Sequence, residues 1–168
     1  MASEGIRNSN KMPSDNTIEV KLTPPDLVER LQAYPKELNE ETQKAMYQAL
    51  LHIQDSVGPY PVYKSDYVRT GQLGRSLGVS EVGQRIGFAD EQEVKPIGQH
   101  VVEGVIGTNL KYAPYVIGDG PGPAQAKHMR HWFTMKDVRA RAEKAPGIVG
   151  IFEKMVEKLA KRMGGKGG

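Results

Sequence analysis

A chain of 168 residues is long enough to bury one substantial core, and with no cysteine it has no disulfide, Cys-zinc site or catalytic thiol. Its net charge of +3 is modest but uneven: residues 121–168 hold eleven Lys/Arg against four Asp/Glu, net +7, while residues 1–120 are net −4. No apolar run approaches a bilayer-spanning length, and the polar N-terminus reads as neither secretory signal nor anchor, so no membrane contact is expected.

In chain order, residues 1–16 are short and polar and read as a flexible arm. Residues 17–22 alternate, with Ile18, Val20 and Leu22 on one side and Glu19 and Lys21 on the other, which predicts a half-buried strand. Thr23, Pro24 and Asp26 make a helix start. The stripe from Leu27 through Leu31, Leu38, Ala45, Ala49, Leu50 and Ile53 predicts a long helix that Pro35 kinks or splits, the second part running to about Val57 before Gly58-Pro59.

Residues 60–69 read as a tyrosine-rich loop. The stretch Arg69-Thr70-Gly71-Gln72-Leu73-Gly74-Arg75-Ser76-Leu77 is too polar and glycine-rich for ordinary core, yet Leu73 and Leu77 lie four apart. It predicts a short turn capped by Thr70, with Gly71 tolerating a strained backbone and the arginines facing outward. Residues 76–82 and 84–89 read as two strands, residues 90–99 as a polar loop, and residues 100–108 as a central strand, being apolar on both faces. In residues 112–117, Pro114 leaves an edge strand, a bulge or a helix start. After a Gly/Pro loop, residues 127–144 are weakly helical. Pro146 opens a last helix with Ile148, Ile151, Phe152, Met155, Leu159 and Met163 on one stripe. Residues 164–168 form a flexible tail. The pattern is α+β: a mainly antiparallel sheet packed against a long kinked N-terminal helix and a C-terminal amphipathic helix, in one domain spanning residues 17–163.

No catalytic, metal or cofactor set emerges. His128 and His131 are three apart but lack a third ligand nearby in sequence, and a surface or interface pair explains them better. His52 reads as a packed histidine. The glycines form no nucleotide-binding pattern, and the serines lack a nucleophile elbow. What stands out is that Tyr60, Tyr63, Tyr67, Tyr112 and Tyr115 fall in two short windows. Such rings suit a protein–protein contact or an intrachain cluster, and, with Arg69 and Arg75 beside them, base stacking as a third reading.

Two motifs, Arg69-Thr70-Gly71-x-Leu73-x-x-Ser76 and Tyr112-Ala113-x-Tyr115-Val116, occur in this order between the helical ends. The pattern resembles the head–tail joining, or tail-completion (neck), proteins of long-tailed bacteriophages. The resemblance spans roughly residues 17–163. It departs from the family after Val116, where Ile117-Gly118-Asp119 follows, and before the last helix, where residues 128–144 replace a Pro-rich end. It implies a non-catalytic α+β subunit without cofactor or metal, forming a ring-shaped homo-oligomer, a hexamer or a dodecamer, that contacts other neck and tail proteins. It would be assembled in the host cytoplasm and reside in the virion. The motif and interface residues are then Tyr67, Arg69, Thr70, Gly71, Leu73, Arg75, Ser76, Tyr112, Ala113, Tyr115 and Val116. The alternatives are a tail-terminator or minor capsid protein of the same virion, or a small basic nucleic-acid-binding module; direct nucleic-acid contact is not the favoured reading.

Overall fold

The computed structural model describes residues 35–60, 71–98, 101–117, 128 and 131–164. The expected arm, the strand at residues 17–22, the helix start at Thr23 and, apart from Gly164, which ends the last helix, the tail at residues 164–168 lie outside them. The described part is a mixture of helices with a small two-stranded antiparallel sheet.

Helix α1 (Pro35–Asp55) begins on proline, which suits a helical first turn because its missing N–H needs no partner there. Leu38, Ala45, Ala49 and Leu50 are its buried stripe. The chain leaves it through Ser56 and Val57, whose amides donate back to His52, Ile53 and Gln54 carbonyls, and turns at Gly58 with φ 75. At the other end of the domain α5 (Gly147–Gly164) follows Pro146 and buries Ile148, Phe152, Met155 and Leu159 against α1. The two alanines of α1 leave room for Phe152 and Met155, and the four share one core with Leu38 and Ala142.

The middle of the chain departs from its sequence pattern. Residues 76–82 and 84–89 are not two strands. Gln72–Ser76 is a short helix, α2, and the residues after it pair only through the isolated bridge Val79↔Arg85. Gly78 and Gly83 hold φ of 68 and 79, left-handed positions that turn the chain instead of extending it. The alternation of Ile86 and Phe88 therefore defines no buried face: both are exposed.

Residues 90–99 are not merely a loop. They contain β1 (Glu91–Pro96), paired antiparallel with β2 (Val102–Gly107) from Glu91↔Gly107 to Pro96↔Val102. A polar stretch forms this strand because one face of an antiparallel pair can remain in water. Glu91, Glu93 and Lys95 point outward, while Gln92 and Val94 are half-buried. For the same reason β2 is not a central strand. Among the described residues it pairs on one side only, and Val101 and Val105 are exposed. Its inner face lies on α1 at Gly104, where a Cβ would stand 2.8 Å from the Met46 side chain.

Of the three readings for residues 112–117, the helix is realised: α3 spans Ala113–Ile117 with Pro114 in its first turn. The weakly helical stretch at residues 127–144 contracts to α4 (Met135–Ala142). Thr134 starts it: its hydroxyl accepts from the Asp137 amide at 3.1 Å, and the Asp137 carboxylate accepts from the Thr134 amide at 3.0 Å. These bonds, the Thr134 backbone first, hold the Asp137 carboxyl below its ordinary value. His52, on α1, donates from Nε2 to the Ala142 carbonyl at 3.1 Å and ties α1 to α4.

Candidate interaction surface

The two sequence motifs meet in space. Gly71 caps α2 in a left-handed conformation, φ 67, without a side-chain cap. One turn on, Leu73 is buried and Ser76 Oγ donates to the Leu73 carbonyl at 2.8 Å. The same hydroxyl lies 2.6 Å from Thr108 Oγ1, which accepts from the Leu110 amide at 3.2 Å just ahead of the second motif. Leu73, Ala113 and Val116 share one core. On the outside, the Tyr112 hydroxyl points at Gln72 Oε1, 3.5 Å away. Leu73, Ala113, Val116 and Ser76 are thus inward anchors, whereas Arg75, Tyr112 and Tyr115 stand at the surface. Tyr67, Arg69 and Thr70 lie outside the described residues.

Tyr60 belongs to the interior. Its ring stacks on Trp132 at 4.8 Å with an 18° tilt, and Trp132 meets Phe133 edge-on at 6.0 Å. Its hydroxyl donates to the Val79 carbonyl at 3.0 Å. The ring can lie there because residue 74 is glycine: a Cβ would stand 1.9 Å from the Tyr60 hydroxyl. For this tyrosine the intrachain cluster is the realised role. The His128–His131 pair precedes α4 rather than sharing its face, with the His131 amide donating to the His128 carbonyl at 3.2 Å. Among the described residues no group of three or more His, Asp or Glu is placed to hold a metal ion. No helix of the described residues is long and apolar enough to cross a membrane.

Three features escaped the sequence reading. The first is the loop at residues 82–88, where Val82, Ile86 and Phe88 are 67%, 58% and 69% exposed. Three large apolar side chains on one short loop are a mark of a contact surface. The loop is firmly seated, since Gln54 Nε2 donates to the Leu77 carbonyl at 2.8 Å and the Gly87 carbonyl at 2.9 Å. The glycines at positions 83 and 87 that punctuate the turn, rather than its alternation, were the available signal.

The second is Glu41, a buried carboxylate on α1. Lys158 donates to it at 2.6 Å, Lys44 at 3.1 Å and Arg162 at 3.2 Å. The Lys158 hydrogen bond, with that of Lys44, brings its carboxyl down to about 2, while burial pushes the other way. The third is an apolar groove of about 630 Å³ between α1, the hairpin, α4 and α5.

No protein-family model, curated protein or solved structure matches the chain.

Proposed function

We propose that the chain is a structural subunit of the neck of a tailed-phage virion, acting in head–tail joining or tail completion and not in catalysis. The resemblance of the two motifs supplies the family. The observation that carries the reading is their convergence: Ser76 on Thr108, and Leu73 with Ala113 and Val116, fix Arg75, Tyr112 and Tyr115 at the surface. A rigid platform carrying exposed tyrosines is what a subunit needs to meet its neighbours repeatedly in one geometry. In this reading the helix begins upstream of Pro35 and kinks there, the subunits form a ring in the virion, and assembly takes place in the host cytoplasm.

One observation favours a second reading. Lys44, Lys154 and Lys158 line a cleft between α1 and α5 with Arg85, against Glu41 and Asp55. That surplus of positive charge would suit a nucleic-acid backbone, with binding that falls steeply with salt. Peptide mass spectrometry and imaging of purified particles decide between the two. The chain should be found in every particle, between capsid connector and tail. Its absence from particles, together with its recovery on DNA from infected cells, would overturn the neck assignment in favour of the nucleic-acid reading.

A further inference from the structure

Among the described residues, β2 is paired along one edge only, and the apolar groove runs along the other. Every residue of β2 from Val102 to Ile106 lines the groove, those that face α1 and those that face solvent alike, whereas no residue of β1 does. Side chains alternate across a strand, so a cavity bordered by both sets lies at the strand's edge and not over one face. The floor is Met46 and Leu50 of α1, and the far wall is Met135 of α4 and Phe152 of α5. The slot therefore offers a ladder of backbone N–H and C=O groups along one side and apolar side chains beneath and opposite. That combination fits an extended segment with one apolar face: its backbone pairs with β2, and alternate side chains go down into the slot. A helix could fill the same volume but would leave the ladder without partners, and buried backbone groups are rarely left so.

The sequence supplies one segment of that kind. Outside the described residues, only 17–22 alternates apolar and polar residues over a strand's length, with Ile18, Val20 and Leu22 set against Thr17, Glu19 and Lys21. It equals β2 in length. It is also within reach. Met46 lies about 16 Å along α1 from Pro35. Residues 23–34 span up to about 40 Å when extended, and about 18 Å if wound throughout as a helix. A proline pushes the residue before it out of helical conformation, so the chain can turn back at Tyr34-Pro35. We propose that residues 17–22 add to the open edge of β2 as a third strand of their own chain's sheet, with Ile18, Val20 and Leu22 on the same face as Val102, Gly104 and Ile106 and filling the groove. Glu19 and Lys21 then join Glu103 and Val105 on the solvent face. Strand addition of this kind draws its strength from backbone bonds and its register from the alternate side chains. In one step the open ladder of β2 gains partners and the apolar walls gain cover.

Because the chain has no cysteine, paired substitutions report strand order directly. In the full-length protein, Glu19→Cys is combined in turn with Val105→Cys, Glu103→Cys and Glu93→Cys, three sheet positions that face solvent, and each protein is oxidised at low concentration. Neighbouring strands stand about 4.8 Å apart, within reach of a disulfide, while the next strand over, at about twice that distance, is beyond it. The expected product is an intramolecular disulfide from position 19 to a β2 position, 105 or 103, and none to position 93 of β1, which sits across from Val105. Hydrogen exchange gives a second readout. The alternate amides of β2 that do not bond β1 should be protected in the wild type. Val20→Asp should speed their exchange at least about tenfold relative to the amides that do bond β1. Lys21→Gln, on the solvent side, should leave both sets unchanged. A disulfide to position 93 alone would put the segment on the opposite edge of the hairpin, and disulfide-linked dimers would give the groove to a second copy; either overturns the proposal. So does the lack of a disulfide in all three pairs, or rapid wild-type exchange of the amides on the open edge.

Discussion

Between α1 and α5 the buried side chains come from two long helices at helical spacing: Leu38, Ala45 and Ala49 against Ile148, Phe152, Met155 and Leu159. Beneath the turn at residues 71–77 the core is gathered from loops and helical scraps: Val57 and Tyr60, Leu73 and Val79, Ala113 and Val116, then Trp132 and Phe133. The first core is aliphatic apart from Phe152, and periodicity dictates it. The second is centred on aromatic rings and depends on single matched contacts, such as the Tyr60 ring over Gly74. Ile53 packs against both, and α4 contributes Val138 to one and Ala142 to the other. The contrast teaches that repeated contacts tolerate a local change by spreading it, while a core of singular contacts concentrates its cost.

Leu73→Asp should give the largest effect. It replaces a side chain 2% exposed in the aromatic core with an unpaired carboxylate, at a cost of more than about 4 kcal/mol. Gln72→Asp, one position away and exposed, should change stability by less than about 0.5 kcal/mol. Equal melting temperatures for the two would remove the distinction between anchor and surface in this turn. Phe152→Ala tests the other core and should cost about 3–4 kcal/mol in a denaturant titration, at the low end for a phenylalanine because neighbouring helical side chains can close in.

Glu41 sharpens the comparison through pH. Its folded value, about 2, lies below the ordinary 4.5, so the stability it contributes is full above the ordinary value and is lost as pH falls through the folded one. Lys158 and Arg162 are about half exposed, which limits the contribution to roughly 1–2 kcal/mol. Glu41→Gln should lower the neutral melting temperature and flatten the decline between pH 4.5 and 2; parallel acid curves for variant and wild type would contradict this. Tyr60→Phe is the smallest change. Loss of the hydroxyl's bond to the Val79 carbonyl should cost about 1 kcal/mol.

The single tryptophan offers a test of whether the two cores are energetically one. Trp132 fluorescence reports the aromatic core, and far-ultraviolet circular dichroism reports chiefly α1 and α5. Because Ile53 and α4 join the cores, the two unfolding curves should coincide. Separate midpoints would show that they melt independently.

The same division governs what could be read from the sequence. The stripes of α1 and α5, the proline that begins α1, the proline before α5 and the glycine after α1 were legible because these signals are local. Strand β1 was not, since its apolar content is a single valine and its partner strand begins after an intervening turn. The apolar alternation at residues 76–89 misled because Gly78 and Gly83 override it through backbone conformation. Of the candidate surface, the two motifs were visible as strings, but their meeting through Ser76 and Thr108 was not. Tyr60 was recognised as unusual, and only the missing Cβ at Gly74 explains why its ring faces inward. Glu41 looked like one more surface carboxylate of α1, its partner Lys158 lying 117 positions away.

Gln54 carries a further consequence. A loop with one bridge would ordinarily take its backbone bonding from a neighbouring strand; here one helix side chain supplies donors to two of its carbonyls, at Leu77 and Gly87. The loop's order is therefore borrowed from the helix. Whenever the last turn of α1 unwinds, both anchors are released in the same event, and the amides of Ser80 and Ile86, bonded to the Gln84 and Gly78 carbonyls, become open to solvent exchange with it. The exchange rate of those two amides is a clock for the end of a helix to which neither belongs.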